Sequence, residues 1–213
     1  EAFAARGLLF REALMYRYHP LIQQTRRLVD DGTIGEIRMV HAQFNAAVDD
    51  ESDIRMRRET AGGALLDVGC YCTSVMRLMA GEEPEAVAAL ARFGAGGVDE
   101  GFVGAMRFPS GVVGHFGCGL RTQFDCSFGV CGSAGRLLVD RGAMCAWGGE
   151  AFRIRRWRGE DEDEIEVPPA NSTRLMFEDF AEALQTGREP QIPAEDAVRN
   201  MEALDRLMAA AGR

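Results

Sequence analysis

An acid and a phenol stand four residues apart, as Asp67 and Tyr71, in the segment Ala61–Cys72 (AGGALLDVGCYC). On an α-helix, residues at this spacing lie on one face, so the carboxylate and the hydroxyl group can meet the same ligand. Gly62 and Gly63 precede them and allow a tight helix entry with close backbone approach. Asp67 then falls near the first turn, where the positive end of the helix dipole favours a carboxylate. The segment therefore predicts a helix that presents both groups to one site.

The same helix has an apolar stripe that predicts which side is buried. Small and apolar residues recur at helical spacing, and they are Leu65, Val68, Gly69, Cys72, Val75, Met76 and Met79. Asp67, Tyr71 and Ser74 lie roughly opposite this stripe. A polar set opposite a core stripe is usually a solvent-exposed face, so the residues alone leave a site and a plain surface both open.

Three arginines precede the glycine pair, at Arg55, Arg57 and Arg58. A guanidinium group can bind a phosphate or a carboxylate through two parallel hydrogen bonds, which makes these residues candidates for substrate binding. They are explained equally well as ion-pair partners of nearby acids, which are Asp49, Asp50, Glu51 and Asp53. The pattern leaves both interpretations open.

Composition limits the classes of function. The 213 residues carry a formal net charge of −9, which argues against a nucleic-acid or anionic membrane surface and favours small-molecule chemistry. Six cysteines are spread along the chain, without a signal-peptide pattern or a membrane-spanning apolar run, and we expect reduced thiols and a cytoplasmic location. Cys70 and Cys72 have poor spacing for a structural zinc pair and point apart on a helix, so we predict no metal site.

The remaining pattern predicts an α+β fold. Helices are expected at Leu21–Asp31, after His19 as a cap or packing residue, and at Ser172–Thr186 and Ala194–Ala211. Strand patterns separated by glycine-rich turns cover Leu8–Met15, Glu36–Ala46, Pro84–Ala95, Asp99–Phe108, Val112–Thr122, Asp125–Cys131 and Arg136–Asp140, and a charged edge hairpin follows at Phe152–Arg158 and Glu160–Glu166. They predict an open, mostly antiparallel mixed sheet of about six strands with helices packed on one face. The strands carry apolar residues on both faces of the sheet, but the helices are expected to cover only one face. The uncovered apolar face needs a partner, which predicts a homodimer.

Four segments, in this order, resemble the family of glucose–fructose oxidoreductase, inositol dehydrogenase and dimeric dihydrodiol dehydrogenase: MYRYHP at Met15–Pro20, DGTIGEI at Asp31–Ile37, RMRR at Arg55–Arg58 and GGALLDVGCY at Gly62–Tyr71. Matching turns at Gly81–Pro84 and Gly132–Gly135 extend the resemblance over nearly the whole chain. It is greatest to the dihydrodiol and xylose dehydrogenase branch, in which the acid/base is a tyrosine in an Asp-x-Gly-x-Tyr arrangement.

The resemblance implies a dihydrodipicolinate-reductase-like C-terminal domain, which binds substrate and forms oligomers in an NAD(P)-dependent oxidoreductase. Such enzymes transfer hydride between nicotinamide and, here, a sugar, polyol or dihydrodiol. By the same resemblance Tyr71 is the catalytic proton relay and Asp67 orients it, while Tyr16 and Arg17 contact the nicotinamide end of the cofactor. The position of the Arg55–Arg58 segment beside the cleft of the family favours substrate binding by its arginines.

The N-terminal Rossmann domain of the family, with its glycine-rich fingerprint and Glu-Lys-Pro motif, has no counterpart in these residues, and all 24 basic residues are arginine. We expect residues 1–18 to be the end of that domain, a helix end plus its last strand, and residues 19–213 to be the substrate-binding and oligomerisation domain. NAD or NADP would be bound mainly by the absent domain, and the chain alone would be inactive. The alternative is a non-catalytic dimerisation or sugar-binding module that never binds a dinucleotide.

Overall fold

A computed structural model describes residues 2–140, 142–145 and 151–212 of the chain. Its centre is one sheet of eight strands: β1 Ile37–Ala47, β2 Ala86–Phe93, β3 Asp99–Arg107, β4 Val113–Gly119, β5 Arg121–Gly132, β6 Arg136–Val139, β7 Phe152–Arg158 and β8 Asp161–Val167. The helices are α1 Pro20–Asp30, α2 Cys70–Ala80, α3 Ser172–Thr186 and α4 Ala194–Ala210, with a π-helical turn at Leu65–Gly69 directly before α2. The α+β fold class is confirmed.

The strands lie in the order β2, β3, β4, β1, β5, β6, β7, β8. Only β1 and β4 pair in parallel, at Val40 opposite Gly114, and every other neighbouring pair in this sheet is antiparallel. The mostly antiparallel, mixed sheet is thus confirmed, but the expected number of about six strands is wrong. The charged hairpin β7–β8 was expected at an edge, and it extends the same sheet because β7 pairs with β6 at Ile154 and Val139.

Helix α2 lies across the central strands β1, β4 and β5 and buries the predicted stripe. Helix α4 packs beside it on β2, and α1 packs on β7, β8 and α2. The alternation of the strands turns Val40, Ala42 and Phe44 into this core, while Met39 is exposed on the opposite side. His19 caps α1, as its Nδ1 accepts a hydrogen bond of 3.1 Å from the backbone N–H of Leu21.

The opposite face of the sheet carries exposed apolar side chains from four strands. They are Met39, Leu90, Val103 and Val113, and Leu90 is 78% exposed. Single exposed apolar residues are common, but a set that spans neighbouring strands forms a patch. Among the described helices, none is both long and apolar enough to cross a membrane.

Helix α3 departs from the expectation that it packs on the sheet. It lies against the N-terminal turn Met15–Tyr18, where Tyr18, Met176 and Ile192 form a second, smaller core. The helical spacing of its apolar residues predicts a buried stripe that includes Phe177 and Leu184, but these side chains are 63% and 60% exposed. The partner surface decides which face of an amphipathic helix is buried, and here that surface is the N-terminal segment.

Arg11 connects this N-terminal segment to α3. Its guanidinium group pairs with Asp179, donates a hydrogen bond of 2.8 Å to the carbonyl oxygen of Met176 and lies 5.0 Å from the centroid of the Tyr18 ring. The strand predicted at Leu8–Met15 is wrong, because residues 8–14 have no regular secondary structure, and the Arg11 side chain attaches this segment to α3. The helix end predicted before it corresponds to one 3-10 turn at Ala4–Arg6, and the domain boundary at residue 18 stays a prediction.

Candidate active site

The glycine pair and a buried aspartate fix the entry of the π-helical turn. Gly63 has φ of +123°, and a Cβ atom at Gly62 would lie 2.4 Å from the backbone oxygen of Arg55, so neither position admits a side chain without strain. The carboxylate of Asp99, the first residue of β3, accepts a hydrogen bond of 2.7 Å from the backbone N–H of Leu65. The sheet thereby caps the first turn of the element that carries Asp67.

The chain between Leu65 and Gly69 forms a π-helical turn, where the spacing of the residues predicted an α-helix. The backbone bonds of a π-helix run to the fifth residue, which widens the turn, and such turns are frequent at functional sites. The wider turn changes the angle between side chains four residues apart. Asp67 on this turn and Tyr71 at the start of α2 nevertheless line the same cavity.

This cavity has a volume of about 310 Å³ and is open to solvent on one side. Its walls come from the turn after residue 14, β1, the loop before the π-helical turn, α2, β5 and the turn at residues 142–145, and the lining residues are Met15, Phe44, Ala46, Ala47, Val48, Arg55, Asp67, Val68, Tyr71, Phe124, Met144 and Cys145. Apolar walls around a few polar groups are typical of a site for a small organic molecule. Three polar side chains, Arg55, Asp67 and Tyr71, converge on it.

Aromatic rings hold Tyr71 in place on two sides. Its ring centroid lies 5.4 Å from that of Phe44 in an edge-to-face contact and 5.8 Å from that of Tyr16. Its hydroxyl group contacts the Met15 Sδ atom at 3.8 Å, which is a weak acceptor. A ligand oxygen in the cavity would therefore be a better hydrogen-bond partner than the one the protein supplies.

Burial raises the pKa of Tyr71 above its usual value near 10, and the nearby Cys70, Cys145, Asp67 and Glu12 raise it further. The phenol is therefore protonated at neutral pH and is ready to donate a proton. Its conversion into a base requires a positive charge beside it, which would stabilise the phenolate.

Asp67 is held by Arg55. The distance between Arg55 Nε and Asp67 Oδ2 is 3.2 Å, and the same guanidinium group pairs with Asp53 at 2.9 Å. Burial raises the pKa of Asp67, and the charge of Arg55 opposes that shift. Arg55 therefore fulfils both interpretations left open by the sequence, since it is an ion-pair partner of acids and also lines the cavity.

Four other predicted site residues do not line this cavity. Tyr16 is fully buried behind Tyr71, and its hydroxyl group donates a hydrogen bond of 2.8 Å to Ser74 Oγ. Arg17 pairs with Asp196 on α4 and faces a different depression of the surface. Arg57 and Arg58 are exposed, and Arg57 lies 3.7 Å from Glu59. Their assignments to cofactor and substrate stay predictions.

Sequence reasoning missed part of the site and of its support. Phe124, Met144 and Cys145 reach the cavity from segments that carried no recognisable motif. A fully buried polar residue, Asn200 on α4, donates a hydrogen bond of 3.2 Å to the carbonyl oxygen of Cys70 and accepts one of 3.2 Å from Arg77. The buried network fixes the first turn of α2, which carries Tyr71. The helical periodicity of α4 predicts an apolar stripe that includes Leu204, which is buried, but also Val198 and Met201, which are 58% and 41% exposed. It gives no signal for a buried amide.

Within the part of the chain that the structure describes, no three His, Cys, Asp or Glu side chains are grouped closely enough to hold a metal ion.

The GFO/IDH/MocA C-terminal domain matches residues 22–138, which is more than half of the chain, and the chain belongs to that family. It is 31% identical over 179 residues to trans-1,2-dihydrobenzene-1,2-diol dehydrogenase of Bos taurus, with 81% of this chain and 50% of the relative covered. It is also 32% identical over 211 residues to dTDP-3,4-didehydro-2,6-dideoxy-alpha-D-glucose 3-reductase of Streptomyces antibioticus, with 97% and 63% covered. The predicted family resemblance is confirmed.

A solved structure of a 3-ketoreductase from Actinomadura kijaniata, in complex with NADP and TDP-benzene, superimposes with a TM-score of 0.92 at 27% identity. The match covers 97% of this chain and 64% of that one. The chain thus spans between half and two thirds of the length of these relatives. These relatives are oxidoreductases that act on CH–OH groups or the corresponding ketones.

Proposed function

We propose that the chain is the substrate-binding and oligomerisation domain of an NAD(P)-dependent oxidoreductase that acts on a sugar, polyol or dihydrodiol. The observation that carries the proposal is the shared cavity of about 310 Å³, in which the Tyr71 hydroxyl group and the Asp67 carboxylate face one volume. Its size suits a small cyclic substrate. The similarity to a dihydrodiol dehydrogenase and to two keto-sugar reductases supports the reaction class.

Nicotinamide would supply or accept the hydride at the substrate carbon. Tyr71 handles the proton of the hydroxyl group that forms or disappears at the same carbon. In the reductive direction its phenol donates a proton to the developing alkoxide, which matches the raised pKa of Tyr71. In the oxidative direction it must first lose its proton, so a cation beside the phenol is required, and the family uses a lysine that these residues do not contain.

Asp67 has a positioning role in this proposal. Arg55 holds its carboxylate beside the cavity, where it can accept a hydrogen bond from a substrate hydroxyl group or orient Tyr71 or the missing lysine. Among the three arginines assigned to the substrate, Arg55 is the one placed to touch a molecule in the cavity. Arg57 and Arg58 would act at its exposed rim.

The cofactor would bind mainly to a Rossmann domain outside residues 1–213. Tyr16, behind Tyr71, and Arg17 would lie toward the nicotinamide end, as the resemblance implies. The reading frame upstream of Glu1 tests this arrangement directly. We expect it to encode a strand, a glycine-rich loop and a helix, with Glu-Lys-Pro near the junction.

Residues 1–213 alone are expected to bind nicotinamide cofactors no better than millimolar, about −4 kcal/mol, because most contacts of a dinucleotide come from backbone amides and the ribose-reading acid of a Rossmann fold. Calorimetric titration with NAD⁺ and with NADP⁺ measures this. Micromolar affinity would contradict the proposal that the cofactor binds mainly to a domain outside residues 1–213. In a protein that joins the chain to its dinucleotide-binding domain, the absence of hydride transfer to every sugar, polyol and dihydrodiol tested would favour the non-catalytic module.

The exposed sheet face is proposed to pair with a second copy of the chain. Light scattering on the purified chain is expected to show a dimer, because Met39, Leu90, Val103 and Val113 form an apolar patch that spans neighbouring strands. Val103→Glu, on β3 directly opposite the most exposed member of the patch, Leu90, should produce a monomer. The control Phe177→Glu places the same charge at an exposed apolar position on α3 and should leave the dimer intact. A clean monomer of the unaltered chain at high concentration would contradict the proposal.

A further inference from the structure

Two cysteine sulfurs meet at the wall of the cavity. The Sγ atoms of Cys126 on β5 and Cys145 in the turn at residues 142–145, after β6, lie 3.6 Å apart, and both are free thiols. Cys145 lines the cavity, whereas Cys126 is fully buried behind it. The proton relay and substrate contacts proposed above use neither thiol.

The backbone of the turn at residues 142–145 is hydrogen-bonded to Cys126. The N–H groups of Gly142 and Ala143 both donate to the carbonyl oxygen of Cys126, at 2.8 and 3.1 Å. The N–H group of Met144 donates to the Cys126 sulfur at 3.3 Å. Three hydrogen bonds to one residue hold Cys145 against Cys126, so the contact between the sulfurs is built into the fold.

The two thiols have different chemical roles because of their positions. Only Cys145 borders a space that a small molecule can enter. When Cys145 ionises, a hydrogen bond from the Cys126 thiol stabilises its thiolate, and this bond lowers the pKa of Cys145 against the effect of burial. The same bond, with burial, raises the pKa of Cys126. Cys145 is thus the thiol that attacks first, and Cys126 is placed to attack second.

We propose that Cys145 and Cys126 form a redox-active dithiol that reduces small organic disulfides entering the cavity and becomes an intramolecular disulfide. Cys145 loses its proton, and its sulfur attacks one sulfur of the disulfide RSSR, which forms a mixed disulfide and releases RS⁻. Cys126 then loses its proton and its sulfur attacks Cys145 Sγ, which releases the second RS⁻. The two protons from the protein convert these into two RSH, so the protein is oxidised by two electrons and RSSR is reduced.

The closing step demands little movement. A disulfide bond is about 2.05 Å long, so the sulfurs must approach by about 1.5 Å, which a rotation of the Cys145 side chain and a small shift of its turn can supply. The new bond would draw Cys145 Sγ away from the cavity and toward β5. Met144 and Cys145 both line the cavity, so its wall changes with the redox state.

The test incubates the reduced chain with bis(2-hydroxyethyl) disulfide, a small uncharged probe, and follows the mass of the intact protein. We expect the loss of two hydrogens without a retained adduct. After digestion with trypsin, which cleaves beyond arginine, the cross-link should join residues 122–136 to residues 142–153. Cys131 shares the first peptide with Cys126, so the experiment is done in a Cys131→Ser background, where only a bond from Cys126 to Cys145 can join these two peptides.

Two variants separate the roles of the thiols. Cys126→Ser removes the resolving thiol and should leave one stable adduct on Cys145. Cys145→Ser should give neither cross-link nor adduct at Cys126, because Cys126 is fully buried. The Cys131→Ser chain keeps both thiols of the pair. The absence of the cross-link in that chain, or a stable adduct on its Cys145, would overturn the proposal. None of these readouts involves a nicotinamide cofactor, so they fail or succeed independently of the proposed oxidoreductase function.

Discussion

Tyr71→Phe is expected to lower kcat by about 10²–10⁴-fold in a protein that joins this chain to its dinucleotide-binding domain, because the phenol is the proposed proton relay. The fold should survive, since the ring contacts with Phe44 and Tyr16 remain and the lost hydroxyl group contacts only a weak acceptor, Met15 Sδ, at 3.8 Å in the described structure. KM should change little, because the loss falls on an interaction made in the transition state. Steady-state kinetics of hydride transfer measures the effect.

The pH dependence gives this prediction a second readout. Within these residues burial raises the pKa of Tyr71, and in the joined protein the lysine of the family would oppose that shift. Reduction needs the protonated phenol, so its rate should fall as the pH rises through the pKa of Tyr71 in that protein. Oxidation needs the phenolate, and its rate should rise with pH until the phenol is ionised. In the Phe variant this rise should disappear, because the titrating group is gone.

Tyr18→Phe is a matched control for that variant. Tyr18 is a second buried phenol, whose hydroxyl group donates to Asp179 Oδ2 at 3.3 Å in the small core under α3. Its loss should cost about 1.5–3 kcal/mol of unfolding free energy, as is usual for a hydrogen bond to a charged group, and leave kcat unchanged. A Tyr71→Phe enzyme that keeps near-wild-type turnover across the pH range would eliminate Tyr71 as the relay.

The spacing of apolar residues predicted much of the fold, because this spacing reflects which side chains of a helix or strand are buried. The stripe from Leu65 to Met79 is buried as expected, and each of the eight observed strands overlaps a predicted strand or an arm of the predicted charged hairpin. The number of strands in the sheet was underestimated because charge alone does not show whether the hairpin β7–β8 ends a sheet or extends it. The hairpin extends the sheet because Val139 pairs with Ile154, and the pairing of two separate segments cannot be predicted from the residues of either segment alone.

The face that α3 buries could not be predicted from its own residues. Its sequence offers an apolar set that includes Phe177 and another that includes Met176 and Ala183, and the structure buries the second. The choice is made by the N-terminal segment, which Arg11 ties to α3 through Asp179 and Met176. Because Leu8–Met15 was predicted to be a strand, this segment was not expected to form the surface on which α3 packs.

At the site, spacing correctly brought Asp67 and Tyr71 to one cavity, but it missed the π-helical turn. The turn depends on a contact between distant positions, since Asp99 caps Leu65 from 34 residues further along the chain. The contact of Cys126 with Cys145 is similar, because the two residues are 19 positions apart in the chain and β6 lies between them. Helical periodicity carries no information about either contact.

Gly63→Ala is expected to have the largest effect on stability, because two independent penalties fall on one methyl group. At φ of +123° a residue with a side chain is strained, and its Cβ atom would lie 2.1 Å from Asp99 Oδ1. The carboxylate would have to move, and its other oxygen would lose the hydrogen bond of 2.7 Å from Leu65 N–H. We expect the unfolding free energy to fall by about 3–5 kcal/mol, measured by urea denaturation.

Gly97→Ala separates the clash from the backbone strain. Gly97 also has a positive φ, +73°, but the nearest atom to its Cβ position is Arg58 Cδ at 4.0 Å, so only strain of about 1–2 kcal/mol is expected. A double-mutant cycle with Asp99→Ala then isolates the contact, because Gly63→Ala should cost no more than the strain alone once the carboxylate is gone. If Gly63→Ala costs the same with and without Asp99, the carboxylate of Asp99 is not what excludes a side chain at the entry to the π-helical turn.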